Sequence, residues 1–306
     1  MLESFRSTAA ISAAALTLFA ASAHGGIQRH DRDEAYHLAL AAEPQFQAAG
    51  ALLYSGFGTF ASGTLIAPNW VLTAAHATDL GAPSQIGFAI GGNTYSSAEF
   101  FTNPNWNGDG LNGWDISLIR LTSNVAGITP AEIYTSGDMI GHEATIVGYG
   151  FGGNGAVGEV PGTLGVKRAG SNMIDTDATG IEVLLGGITL SPNNVVADFD
   201  GPGLAELNRT GSDVPLDREF FTGRGDSGGA WWVEDTDGEW RLGSIQSWGT
   251  INFPGETYGK YGHMTISARI ADAMPWIYEV TGIPAPSTGA LAFAFAPVIL
   301  RRRRTT

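Results

Sequence analysis

The chain has 306 residues, no cysteine, 43 glycines and a formal net charge of −14 at pH 7. Disulfides and thiolate metal sites are therefore excluded, and the acidic balance speaks against a nucleic-acid partner. The length is enough to bury a large core, and so many glycines suit short strands and frequent turns better than long helices.

Residues 1–23 read as a secretory signal. Arg6 supplies the basic start, 9–20 are apolar, and Ala21-Ser22-Ala23 is a small-residue cleavage site. The apolar run is too short for a spanning anchor, so a mature start near His24 is expected. Residues 24–49 hold Gly25-Gly26-Ile27, a charged cluster at 29–34 and a short helix-like run at 35–42; this segment is a candidate propeptide or activation region.

From residue 50 to about 134, short alternating runs at 51–54, 63–67, 70–74, 85–90 and 116–121 are separated by Gly, Pro and Asn. That pattern predicts a small antiparallel barrel. A polar loop, 103–113, leads into Trp114-Asp115. A second set of runs lies at 144–149, 180–185, 230–234, 240–248 and 257–261, with Asp237-Gly238 marking a hairpin. The glycine-rich stretch 151–165 has no Walker-type lysine and reads as a mobile surface loop. Pro275 in a first turn and Gly282 past the end punctuate a short closing helix over 275–281.

Three motifs carry chemistry. Gly223-Arg224-Gly225-Asp226-Ser227-Gly228-Gly229 surrounds a serine with glycines, which free its hydroxyl and leave backbone N–H groups bare. Upstream lie Leu72-Thr73-Ala74-Ala75-His76 and Asp115-Ile116-Ser117-Leu118. Alone, the glycine-rich motif could be a polar turn; histidine, aspartate and serine in this chain order are more specific. Over roughly residues 50–281 the sequence resembles the trypsin/chymotrypsin-fold serine endopeptidases. The resemblance implies an all-β fold of two packed six-stranded antiparallel barrels, about 50–140 and 141–265, within a protease domain spanning 50–282. The family's disulfide-forming cysteine beside the histidine is replaced here by Ala77.

By that resemblance Ser227 is the nucleophile, His76 the general base and Asp115 the acid that orients it. The N–H groups of Gly225 and Ser227 make the oxyanion hole. Ser247 hydrogen-bonds the buried aspartate, and 247–249 (Ser247, Trp248, Gly249) is the strand along which an extended peptide pairs. Phe221 lies at the base of the primary specificity pocket, beside Thr222, with Gln246 on its wall. An apolar Phe221 predicts no preference for Lys or Arg at P1, the residue whose carbonyl is cleaved, because an unpaired buried cation is costly. A neutral or apolar P1 is expected first, and Glu second. In the family a freed α-amino group meets the acid before the nucleophile, which suggests Ile27 and Asp226. No basic cleavage site precedes Ile27, so either further trimming occurs or the loop is ordered differently.

The rival histidines 24, 30, 37, 142 and 263 carry no motif, Asp109 lacks a burying strand, and Asp235-Thr236-Asp237-Gly238 reads as a turn and not a calcium loop. No metal or cofactor is expected. The tail, 283–306, has Pro284-Ala285-Pro286, an apolar segment and Arg301 to Arg304. It resembles the bacterial PEP-CTERM sorting signal, with a plain membrane anchor as the alternative. The partners implied are a protein or peptide substrate, a signal peptidase and an exosortase-like sorting enzyme. The expected product is a monomeric, exported protein, secreted or held at the cell envelope. The rival functions are an inactive homologue serving as a surface binding module and an adhesive β-protein.

Overall fold

The computed structural model describes residues 26–284, apart from 180, 182–186, 188 and 253. The signal read at 1–23, nearly all of the sorting tail and most of the strand expected at 180–185 lie outside the described residues. In chain order the elements are β1 (Gly26–Gln28), α1 (Glu34–Ala41), β2 (Ala49–Tyr54), β3 (Gly58–Ala67), β4 (Trp70–Thr73), α2 (Ala75–Thr78), β5 (Ile86–Ile90), β6 (Asn93–Thr102) and β7 (Ser117–Leu121). They continue with β8 (Glu143–Gly148), β9 (Gly152–Asn154), β10 (Gly158–Glu159), β11 (Arg168–Met173), β12 (Thr176–Asp177), β13 (Asn194–Asp198), β14 (Phe220–Phe221), β15 (Ala230–Glu234), β16 (Trp240–Gly249), β17 (Met264–Arg269) and α3 (Met274–Thr281).

Alternation decides the first unit. In β5, Ile86, Phe88 and Ile90 are buried while Gly87 and Ala89 between them are not, which is the two-residue period of a strand with one face on a core. Strands β2-β3-β4-β7-β6-β5 close into a barrel in that order. Its buried hydrophobic residues include Leu52, Leu65, Leu72, Phe88, Leu118 and Ile119. Closure leaves no unpaired strand edge.

The second unit is a seven-stranded sheet, β11-β8-β15-β16-β17-β13-β12, curled into a half-barrel. The fold class is the expected one, all-β with a short closing helix. This unit departs from six closed strands because β9 and β14 pair elsewhere, in a small sheet ordered β10-β9-β1-β14. Central strand β15 buries both faces: Trp231 enters one core with Ile146 and Val195, and Trp232 enters the larger core shared with the barrel. The turn at Asp237-Gly238 joins β15 to β16, with Gly238 at φ 84°.

Residues 26–49 are built into the second unit. Ile27 of β1 pairs with Phe221 on one side and Gly153 on the other. Helix α1 lies on β11, where buried His37 bonds the Ala169 carbonyl at 2.9 Å through Nδ1 and Glu34 pairs with buried Arg168. Phe46 is enclosed against Trp232 and Trp240.

Two local expectations are corrected. The stretch 257–261 is a loop, not a strand, and pairing resumes only at Met264. The stretch 151–165 is not a free surface loop. It contributes β9 and β10, and a Cβ on Gly153 would lie 2.0 Å from the Gly158 carbonyl oxygen, so glycine is there for close packing. Among the described residues no helix is long and apolar enough to cross a membrane.

Candidate active site

Strand register brings His76 and Asp115 together. Strand β4 pairs antiparallel with β7, Thr73 opposite Ser117. Residues just past the end of β4 therefore meet residues just before β7. His76 sits there on the single turn α2, and Asp115 lies two residues before β7, almost fully enclosed at 1% exposure. The carboxylate takes the His76 backbone N–H on Oδ1 at 2.8 Å and faces ring Nδ1 with Oδ2 at 2.6 Å. A β-bulge in β16 supplies a third donor. Gln246 and Trp248 pair with successive residues of β17, which leaves Ser247 unpaired and re-aimed. Its hydroxyl donates to Asp115 Oδ2 at 2.5 Å. Since a carboxylate only accepts, the imidazole proton belongs on Nδ1, and Nε2 presents its lone pair to the groove.

The serine loop packs against this pair. The Ser62 N–H of β3 donates to the Ser227 carbonyl at 2.8 Å, and the Gly228 N–H donates to the Gln246 carbonyl at 2.9 Å. A Cβ on Gly228 would lie 2.0 Å from Thr73 Oγ1 and 2.9 Å from the Ala74 nitrogen. Only glycine lets the serine loop approach the end of β4 so closely.

The loop's amide groups divide cleanly. Gly223 N–H donates to Asp226 Oδ2 at 2.7 Å and Arg224 N–H donates to Glu159. Asp226 N–H donates to the Gly223 carbonyl, Gly228 N–H to Gln246 and Gly229 N–H to Asp226. The N–H groups of Gly225 and Ser227 make no hydrogen bond among the described residues. Two bare donors at positions 225 and 227, one of them the serine's own, form a ready binding site for an oxyanion. Gly225 holds φ +101°, where a side chain would be strained.

Asp226 and Ile27 are not brought together as a charge pair. Asp226, 1% exposed, accepts from the Gly150 N–H at 2.6 Å and the Gly223 N–H at 2.7 Å. Burial pushes its carboxyl up to about 6, against the pull of these two amides. Ile27 is mid-chain in β1, its side chain among Phe199, Phe221 and Tyr261.

Two neighbouring cavities share Ser247 and Trp248. One, about 290 Å³, is lined by His76, Trp106, Leu111 and Asp115. The other, about 530 Å³, is lined by Ser227, Arg224, Gln246, Gly249, Glu256 and Tyr258. Together they make a groove along β16 with the histidine on one side and the serine on the other. Gln246 is spent on structure: its Oε1 accepts from Trp231 Nε1 at 3.0 Å and Thr265 Oγ1 at 2.9 Å. Phe221 and Thr222, expected to line the pocket, are buried beneath Tyr258 and take no part in the lining. Tyr258 and Glu159 are the residues that sequence reasoning missed. Buried Glu159 holds the loop through the Arg224 N–H and the Arg224 Nε at 2.6 Å.

The rivals are placed elsewhere. Asp109 caps the turn at 110–112, and Asp235 and Asp237 bind Arg241 at 2.8 and 2.7 Å. His263 is buried, with Nε2 3.1 Å from Glu256, and burial lowers its basicity.

The sequence profile of the trypsin family matches residues 40–195, just over half of the chain, and takes in both His76 and Asp115. The chain belongs to the trypsin family. As a trypsin-family chain it is similar to the thrombin-like enzyme saxthrombin of Gloydius intermedius, 35% identical over 106 residues, which are 32% of this chain and 41% of that one. It is also similar to the thrombin-like enzyme acutin of Deinagkistrodon acutus, 34% identical over 30% of this chain and 44% of that one. Snake venom serine protease 3 of Protobothrops jerdonii is 33% identical over 32% and 42%. The matches thus span less than half the length of these relatives. Among solved structures it resembles neuropsin, a serine protease expressed in the limbic system of mouse brain. The TM-score is 0.57 at 22% identity, covering 78% of this chain and 96% of that one, a likeness of fold.

Proposed function

We propose that this trypsin-family chain is an exported serine endopeptidase that cleaves peptide bonds through an acyl-enzyme on Ser227. The observation that carries the reading is the pair of bare N–H groups at Gly225 and Ser227, on a loop packed against the end of β4, the strand that leads to an imidazole whose Nδ1 is held by Asp115. His76 Nε2 takes the Ser227 proton as Oγ attacks the scissile carbonyl, then delivers it to the leaving amine. Asp115 fixes the tautomer and stabilises the imidazolium. The two N–H groups receive the carbonyl oxygen as it becomes an oxyanion, a contact whose loss costs on the order of 3 kcal/mol in comparable sites. The substrate runs as an extended strand along 247–249, and a neutral or apolar P1 faces the larger cavity. The protease unit spans 50–282, with 26–49 packed on it. Export rests on the pattern of residues 1–23.

A fluorophosphonate probe tests the reading, since it labels only an activated serine. Wild-type protein labels and digests casein, whereas Ser227→Ala does neither and Asp115→Asn keeps the fold but loses about four orders of magnitude in kcat. Folded wild-type protein that resists the probe overturns the proposal.

A further inference from the structure

The larger cavity beside Ser227 has an unusual floor. Gly249, at the end of β16, lines the space that a P1 side chain would enter, and Phe221 of β14 is buried. Tyr258, from the loop between β16 and β17, lines the same space. A Cβ built on Gly249 would lie 2.1 Å from the Tyr258 phenol oxygen and 3.0 Å from its ring carbon Cζ. The Tyr258 ring rests on Phe221, centroids 5.2 Å apart, and beside His263 at 6.3 Å. The loop is pinned at its base, where the Glu159 N–H donates to the Tyr258 carbonyl at 2.9 Å. It is pinned again where His263 Nδ1 faces the Gly259 N–H at 3.1 Å.

We infer that Tyr258 is the specificity-determining residue of this enzyme: its side chain, set between Gly249 and the Phe221 ring, closes off the base of the primary pocket, so that only small P1 side chains, those of Gly, Ala or Ser, are accommodated. The inference rests on the proteolytic reading above and narrows it. A side chain held between Gly249 and the Phe221 ring takes up the depth that an aromatic or long aliphatic P1 would need. Pocket depth is a strong discriminator, because even one methylene in an apolar pocket is worth roughly 10–200-fold.

The experiment uses the full chain and fluorogenic tetrapeptides that differ only at P1 (Ala, Leu, Phe), with fluorophosphonate labelling run in parallel. Wild type is expected to favour Ala over Phe by at least about tenfold in kcat/KM. Tyr258→Ala is expected to raise kcat/KM for Phe by about a hundredfold, so that the preference inverts in a protein that the probe still labels. Tyr258→Phe keeps the ring and therefore keeps the preference for Ala. Should the Ala variant fail to fold, Tyr258→Val shortens the side chain while still covering Phe221, and it should admit Leu. A labelled wild type that takes Phe as well as Ala, as it would if the loop swung aside on binding, overturns the inference and leaves the protease reading standing. So does an unchanged P1 ratio in a labelled Ala or Val variant. Absence of labelling in wild type overturns both.

Discussion

Asp226 carries a cost that can be measured at a single residue. Its carboxyl is fully enclosed, receives two amide N–H groups and has no cation bonded to it among the described residues, so desolvation raises its pKa from 3.8 to about 6. The sign follows from proton counting. Below pH 4 the group is protonated in both folded and unfolded chains. Between about 4 and 6 only the unfolded chain releases the proton, so stability falls as pH rises through this window and levels off above it. The loss amounts to about 3 kcal/mol for a shift of this size. Asp226→Asn cannot titrate. The difference in unfolding free energy between wild type and this variant, read from urea titrations at pH 4, 5, 6 and 7, is therefore expected to move against wild type by about that amount. A constant difference across the series would contradict the assignment. Gly228 gives a second test at this scale. At φ +81°, with Thr73 Oγ1 2.0 Å from its missing Cβ, Gly228→Ala must push the serine loop off β4, and loss of fluorophosphonate labelling is the expected result.

At the scale of the element, β15 ties the site to the core. It follows the serine loop directly and drives Trp231 and Trp232 into different cores, both essentially unexposed. Trp232 meets Phe46 edge-on at 5.5 Å. Trp232→Ala is expected to cost roughly 3–5 kcal/mol, the range for emptying a buried aromatic site, seen as a lowered urea midpoint. Strand β5 was legible in the sequence by its alternation and β15 as a short apolar run before the Asp237-Gly238 turn, because these are local properties. The catalytic motifs were legible because their chemistry demands particular neighbours. The 257–261 run was not, since Thr257-Tyr258 and Lys260-Tyr261 look strand-like. Gly259, held at φ +89° with Ile27 Cδ1 1.9 Å from its missing Cβ, breaks the run for a reason that lies 232 residues away in sequence. Glycines at 153 and 155 misled in the same way. They suggested mobility, but they are there because a strand and the Tyr261 ring leave no room for a Cβ. A glycine's reason is tertiary, and a linear reading sees only its permissiveness.

Across the whole molecule, the site depends on two units remaining in register with no disulfide between them. There are no cysteines, and His76 and Asp115 come from the barrel whereas Ser227 and Ser247 come from the second sheet. Their relative position is held by a shared core. Leu65, Val71 and Phe88 of the barrel belong to the same buried cluster as Val147, Trp232, Leu242 and Ile245 of the second unit and Ile277 of α3. Within the second unit Lys167 pins the 26–49 segment, its Nζ donating to the Phe46 carbonyl at 2.6 Å, and burial lowers its pKa to about 8. A core that spans both units makes separate melting costly, since either unit alone would expose the facing apolar surface to water at about 25 cal/mol per Å². The chain is therefore expected to unfold in one transition. Near-ultraviolet circular dichroism of the tryptophans, far-ultraviolet signal and residual peptidase activity should lose half their amplitude at the same urea concentration, with or without reductant. Activity lost at a lower concentration than the tryptophan signal would mean that the units separate before either unfolds, and that the shared core is too weak to set the distance between the imidazole and the serine.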